Sequence, residues 1–362
     1  FKGINDFTGV INLKDKTIDV KGESKEVDIN SIFATFNFYD LKGRANLSHQ
    51  ISGPINNFSV NSKATLKDIF IKDGEVGELN ADLAFSERNI LKVNLTGQKR
   101  LNAKATFTIF SDRTEVESTV KLNAINFKNV FSCLLKNSFA LNGITNGSFD
   151  IKGRLDNPLV SGDFNINSFN FENYIAKTAK GNLSIKDNVI SVKELMFNQD
   201  DKGVVKAEGT MGLLGNLPLS INVNSNDIEI SKLPVVYELY NNLSGRSNIS
   251  GQILGNITNP KFVVNINSKN FIINNQVNTK FNTDFAYENS TLEIINFLID
   301  DEYDFNGKIK FYPKSYVNGA LVVKNGKLAT LFSLLKVKFK PNEVKGNFFS
   351  NIKLNGKFSE LN

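Results

Sequence analysis

The sequence predicts an all-β, mostly antiparallel fold: an elongated curled sheet built from repeats of about 101 residues, each carrying one short helix. Three observations predict it. Glycines recur in pairs ten residues apart, Gly43 with Gly53, Gly143 with Gly153, Gly245 with Gly255 and Gly346 with Gly356, and the leading glycines are spaced 100, 102 and 101 residues apart. Most of the remaining chain alternates apolar and polar residues with a period of two, as strands with one buried face do. Just before each leading glycine the period becomes that of a helix.

The repeat divides the chain into 1–42, the end of a preceding unit, three full units at 43–142, 143–244 and 245–345, and the start of another at 346–362. Such units form one continuous array, because none can bury its apolar face alone. The clearest motif, GITNGSFDIKGRLDNP from Gly143 to Pro158, returns as GRSNISGQILGNITNP from Gly245 to Pro260. The glycines at 53, 153, 255 and 356 fall within strands, where a bend or bulge needs them.

Taken in order, residues 1–30 hold strands, with Gly9-Val-Ile-Asn-Leu in phase with Gly209-Thr-Met-Gly-Leu and Gly307-Lys-Ile-Lys-Phe. Four stripes at i, i+3, i+4, i+7 mark the helices: Ile29, Ile32, Phe33, Phe36; Phe127, Val130, Phe131, Leu134; Leu233, Val236, Tyr237, Tyr240; and Leu328, Leu331, Phe332, Leu335. Pro234 suits the first turn of the third, with Ser231 upstream as its cap. In the second repeat, 143–244, Phe149, Ile151, Phe164 and Ile166 alternate with Asp150, Lys152, Asp163 and Asn165. The phase then slips at Phe169 and Phe171, which predicts a bulge near Ser168, and slips again at Leu195 and Phe197. Turn signals such as Asp156-Asn-Pro, Lys186-Asp-Asn and Asn325-Gly separate about eight strands per unit.

A one-sided sheet must cover its apolar face, and one short helix per unit cannot roof eight strands. A closed sandwich or barrel per unit, a solenoid and an open trough all answer this; the trough fits best, because no linker separates the units and no period of 20 to 30 residues is present. At about 4.8 Å per strand, each unit would extend roughly 38 Å. The lining residues expected are Phe149, Ile151, Phe164, Ile166, Leu183, Ile185, Val192, Ile221, Val223, Phe262, Val264, Ile266, Leu292 and Ile294. Such a lining suits acyl chains, since each CH₂ removed from water contributes about 0.8 kcal/mol.

Composition narrows the function classes. The formal charge is +6, but only six basic residues are arginine, and they are scattered, so no nucleic-acid footprint is present. One cysteine, Cys133, leaves no internal disulfide and no cysteine-built metal site, and is expected as a small buried hydrophobe on its helix. One histidine, His49, on a polar stretch, is expected at the surface. The pairs Asp200-Asp201 and Asp300-Asp301 read as solvated turns, since no calcium loop surrounds them. No enzyme, cofactor or metal is expected. The chain opens in a strand and both ends lie inside a repeat, so a membrane anchor is expected outside this fragment.

The run GSFDIKGRLDNPLVSGDFNINSFNF, with GNLSIKDNVISVKELMF, GVVKAEGTMGLL and, at Gly251 to Phe271, GQILGNITNPKFVVNINSKNF, resembles the repeats of the AsmA-like superfamily, most closely its TamB (translocation and assembly module) branch. In the first unit Phe58 stands at the proline position of that pattern, and in the last Glu360 replaces the asparagine. The resemblance implies a β-taco groove in the periplasm of a diderm bacterium, anchored in the inner membrane, conducting phospholipid to the outer membrane and supporting outer-membrane biogenesis. It implies as the alternative a scaffold for translocation and assembly of outer-membrane or autotransporter proteins with an Omp85-type barrel partner. A closed β-sandwich adhesin is the third possibility.

Overall fold

A computed structural model describes residues 3–33, 41–71, 74–86, 89–97, 100–134, 141–171, 174–232, 243–273, 277–311, 315–335, 337–338, 340 and 343–357. The strands among them form one antiparallel sheet of 22 that does not close. By contacts the chain falls into two compact units, Phe1–Phe171 with Lys180–Asn188, and Glu172–Ala179 with Val189–Asn362.

The first unit opens with the hairpin β1 (Ile4–Asn12) and β2 (Thr17–Asp28), then α1 (Ile29–Phe33). A meander follows through β3 (Leu41–Pro54), β4 (Ser59–Ile71), β5 (Gly74–Ser86), β6 (Ile90–Gly97), β7 (Leu101–Ile109) and β8 (Thr114–Asn126). Then come α2 (Phe127–Leu134), β9 (Leu141–Arg154) and β10 (Leu159–Phe171). Each strand pairs with the next in sequence, from β1 through to β10. The following β11 (Tyr174–Lys186) is divided between the two units.

In the second unit β12 (Val189–Asn198), β13 (Val204–Gly212) and β14 (Pro218–Asn226) form a meander, and the two-residue β15 (Ile228–Glu229) runs into a 3₁₀ turn at Ile230–Lys232. Both β14 and β15 pair with β16 (Leu243–Asn256). The ladder continues through β17 (Asn259–Ile273), β18 (Val277–Glu288), β19 (Thr291–Ile299), β20 (Tyr303–Lys310) and β21 (Tyr316–Lys327). After α3 (Leu328–Leu334), β22 (Asn347–Lys357) pairs with β21. In both units strand-to-strand packing is essentially confined to ladder neighbours among the described residues, so no second sheet lies on the first.

Six long strands, β3 to β8 and again β16 to β21, replace the expected eight per repeat. The reason is that the phase slips are bulges within strands and not breaks between them. The predicted bulge near Ser168 falls between Asn167 and Asn170, with Ser168 at φ +53°, and the second falls between Val192 and Leu195. A bulge absorbs one residue and bends its strand. Apolar residues on either side of it therefore stay on one face.

One bulge recurs in every copy. Glu26, Ala124, Asp227 and Asn325 have φ of +54°, +51°, +52° and +58°, each three residues before a helix or 3₁₀ turn. The extra residue leaves a backbone N–H without a ladder partner. In three copies an asparagine three residues after the leading glycine accepts it: Glu26 N–H donates to Asn46 Oδ1 at 2.9 Å, Ala124 to Asn146 at 3.0 Å and Asp227 to Asn248 at 2.9 Å. The leading glycines are required on two counts. Gly245 has φ +126°, and a Cβ there would stand 2.1 Å from the Asn270 carbonyl oxygen; at Gly143 it would stand 2.4 Å from Ile166 Cγ2.

Beyond the bulges each unit has a dry margin. In the first, Val27, Ile29, Ala45, Ile69 and Leu79 are buried together, with Leu41, Leu66 and Leu101 against them. In the second, Ile230, Phe271, Ile299, Tyr303 and Val323 are buried together. The Phe271 and Phe281 rings stack at 4.8 Å, and Tyr303 donates its hydroxyl to the Lys327 carbonyl at 2.6 Å. Helices lie over these margins: α2 follows β8 but reaches back to β4 and β5, and α3 follows β21 but reaches back to β18.

The helix stripes are only partly as expected. In α3, Leu328, Leu331 and Phe332 are half-buried and Leu335, just beyond its end, is exposed, whereas Thr330 and Ser333 are fully buried. The short helix turns its small polar residues to the sheet, where close approach outweighs hydrophobicity. The expected helix at 233–240 lies outside the described residues, as do the side chain of Cys133 and the far ends of the first two stripes.

Replacing Asn146 or Asn248 by alanine leaves a bulge amide to water, and each change is expected to cost about 0.5–1 kcal/mol, the net contribution of one exposed hydrogen bond. Urea unfolding of the two variants beside Asn318→Ala, an exposed strand asparagine, checks this; equal midpoints for all three would remove the bulge role.

Candidate functional site

The ladder register brings the predicted lining residues together. In the second unit a row of directly opposed residues runs Val192, Gly209, Ile221, Ile253, Phe262, Tyr287, Leu292, Ile309. A second row runs Ala207, Val223, Gly251, Val264, Phe285, Ile294, Gly307. Ile266 sits in a third with Ile249, Thr283, Phe297 and Phe305. Directly opposed residues share a face. In the first unit Phe149 opposes Val120 and Gly162, Ile151 opposes Ser118 and Val160, and Phe164 opposes Gly147.

These side chains are neither buried nor free. Phe149, Ile151, Phe164, Leu183, Ile185, Val192, Ile221, Val223, Phe262, Val264, Ile266, Leu292 and Ile294 are all half-buried, while Asp150, Lys152, Asp163, Asn222 and Asn224 between them are exposed. Ile166 is the exception. It is 1% exposed, sealed at the dry margin against the Gly143 backbone, so it belongs to the core and cannot touch a ligand as expected.

Glycines thin this face, and phenylalanines lie across them. A Cβ at Gly162 would stand 2.6 Å from Phe149 Cδ1, and one at Gly319 would stand 3.1 Å from Phe305 Cε2. The rings therefore lie flat along the sheet, which makes the surface broad and low. A depression of about 950 Å³ in the first unit is lined by residues of the polar rows, among them Asp6, Lys21, Glu23, Lys63, Asp82 and Lys92, together with Gly22, His49, Ser62 and Leu83 of the row between them, and none of the predicted lining residues contributes to it. Its alternating charges make a solvated surface.

His49 is at the surface of the sheet, half-buried, but in an apolar row and not on the polar stretch expected. It opposes Gly22 and Ser62 in the row that continues to Leu83 and Val93, on the apolar face. Its Nδ1 lies 2.8 Å from Ser62 Oγ and its Nε2 3.3 Å from Ser24 Oγ, and the Phe7 ring stacks on it at 6.1 Å. Burial holds its pKa below the ordinary histidine value.

Both acidic pairs lie in turns as expected, and Asp201 and Asp301 are exposed, but the Asp200 and Asp300 side chains are each only 17% exposed. Asp200 accepts from both Arg246 NH groups, at 3.1 and 2.7 Å, and from the Gly203 and Lys202 amides, and Arg246 also donates to the Asp227 carbonyl. Buried Gln199 completes the clip by bonding both the N–H and the C=O of Glu229. Asp300 accepts from the Lys280 amide and lies 3.6 Å from Lys327. These groups hold the margin of the second unit in place. Among the described residues no cluster of His, Cys, Asp or Glu could hold a metal ion, and no helix is long and apolar enough to cross a membrane.

No family model, curated protein or solved structure gives a significant match to the chain.

The Arg246 hydrogen bonds hold the Asp200 carboxyl well below the usual carboxylate range, so its stabilisation is present at neutral pH and is lost as pH falls through that depressed value. Asp200→Asn is expected to be less stable than the parent at neutral pH by about 1 kcal/mol. The two curves should converge in acid, and urea midpoints across pH check it; a constant difference would mean that charge is not what Asp200 contributes.

Proposed function

We propose that the apolar face is a binding surface for phospholipid acyl chains, and that the chain is a segment of a bridge-like conduit carrying phospholipid between the inner and outer membranes of a diderm bacterium. One observation supports this above the others: rows of Phe, Ile, Leu and Val cross many strands in each unit, only partly buried, with no layer over them among the described residues. Burying such a side chain fully contributes about 1.5–3 kcal/mol, so each partly buried one leaves a few tenths of a kcal/mol, up to about 1, for an apolar partner to supply. A folded protein core would have taken up that contribution itself.

The rows run across the strands, so a chain lying along a row crosses from strand to strand without meeting an unpaired backbone group. Headgroups would stay in water. Periplasmic location, an inner-membrane anchor and an Omp85-type partner rest on the AsmA-like resemblance alone and are proposed with it.

Native mass spectrometry of the protein purified from a bacterial membrane background, with lipid extraction alongside, tests the reading. Several phospholipids per chain, displaced by detergent, are expected. Val264→Asp puts a carboxylate in the second row and is expected to lower lipid occupancy several-fold, whereas Asn222→Asp on the opposite face leaves it unchanged. A folded, lipid-free parent that binds unfolded strand peptides would replace the conduit by the scaffold alternative.

A further inference from the structure

We propose that His49 is a proton-sensitive point in the apolar face of the first unit, so that acidification loosens an acyl chain lying across β2, β3 and β4. This rests on reading that face as a lipid surface and adds a control to it. The geometry is particular. His49 interrupts an apolar row that continues to Leu83 and Val93, and both ring nitrogens are engaged by serine hydroxyls, Ser62 on one side and Ser24 on the other.

A hydroxyl can donate or accept, so the two serines serve either neutral tautomer, and they can also accept from both N–H groups of the imidazolium. The site therefore takes up a proton without rearrangement. What it lacks is a counter-charge. The neighbours turned to this face from β1, β2 and β4 include Phe7, Gly22, Ser24 and Ser62, and none ionises. The nearest charged residues, Asp6, Lys21, Glu23 and Lys63, line one depression with His49 but stand in the neighbouring rows, which alternate onto the opposite face, and burial is what shifts the histidine pKa.

The direction of the effect follows from linkage. An acyl chain laid over the ring removes water from it and disfavours the imidazolium, so occupancy lowers the histidine pKa; reciprocally, protonation lowers affinity by the same factor. Partial burial already lowers that pKa in the free protein. Affinity is thus full above the free-state pKa and falls as pH drops through it.

The chain has one histidine, so the imidazole C–H resonances report it without ambiguity. The experiment titrates them with and without saturating pyrene-labelled phosphatidylcholine, a zwitterion that does not itself ionise in this range, and measures probe uptake at about pH 7.5 and about pH 5.5. The expected result is a pKa lowered by about half a unit on uptake, with about twofold weaker binding at the acid pH in the parent and none of that dependence in His49→Gln. Uptake that does not depend on pH, or a pKa indifferent to the probe, overturns this proposal and leaves the lipid surface standing. Absence of uptake at about pH 7.5 overturns both. If His49→Gln does not fold, the parent titration with and without probe decides.

Discussion

Three of the four copies turn on a backbone amide that the ladder cannot satisfy. Where β2, β8 and the β14–β15 strand approach their helix or 3₁₀ turn, an extra residue at positive φ leaves its N–H facing nothing, and Asn46, Asn146 or Asn248 on the next strand accepts it. That hydrogen bond fixes where the strand bends. It also fixes the register of the leading-glycine strand, because the asparagine must stand opposite the bulge. On one side of the bend the apolar residues meet a helix and become dry; on the other they meet no covering element and stay half-exposed. The division of each unit into closed margin and open face is therefore set by a polar contact.

The same economy explains why the open face persists without collapsing. A strand can hide apolar residues only by bending further or by receiving a second layer, and neither is available here. Long strands, such as β3, β9 and β16 with fourteen residues each, make a continuous ladder, and each ladder neighbour resists folding its partner over. The helices are too short to extend the roof, α2 having eight residues and α3 seven. Tight approach at the leading glycines then binds helix, bulge and sheet into one margin, with Gly245 against the Asn270 carbonyl leaving no room for a side chain.

Much of this was legible in the sequence, and what was missed has a common cause. The period of the glycines, the one-sided alternation and the slips near Ser168 and Leu195 are local patterns, and the antiparallel sheet follows from them. Strand number was overread because a bulge and a turn both interrupt alternation, and only the ladder tells them apart. The asparagines at 46, 146 and 248 were visible at a constant offset, yet asparagine is so abundant here that the offset did not stand out. His49 was misplaced because its sequence neighbours Ser48 and Gln50 are polar, while the residues that define its surroundings, Gly22 and Ser62, come from other strands. Asp200 lies in the turn its sequence suggests, but its ion pair is hidden because the partner, Arg246, is 46 residues away. Ile166 looked like any other lining residue, and only the approach of Gly143 seals it.

The candidate site shows the same split between pattern and register. Alternation alone gives a list of apolar residues, and a list does not make a surface. The ladder converts it into rows, so that Ile221, Phe262 and Leu292, far apart in sequence, become successive contacts along one line across the strands. A ligand that follows such a line meets the same chemistry at each step of about 4.8 Å, with no step deep enough to trap it. Glycines in the rows and phenyl rings lying over them keep the steps shallow. A surface built this way favours sliding over tight binding at any one place, because its contribution per step is small and repeated. A polar interruption in one row, as at His49, then has leverage on passage that the same residue on a single-site protein would lack.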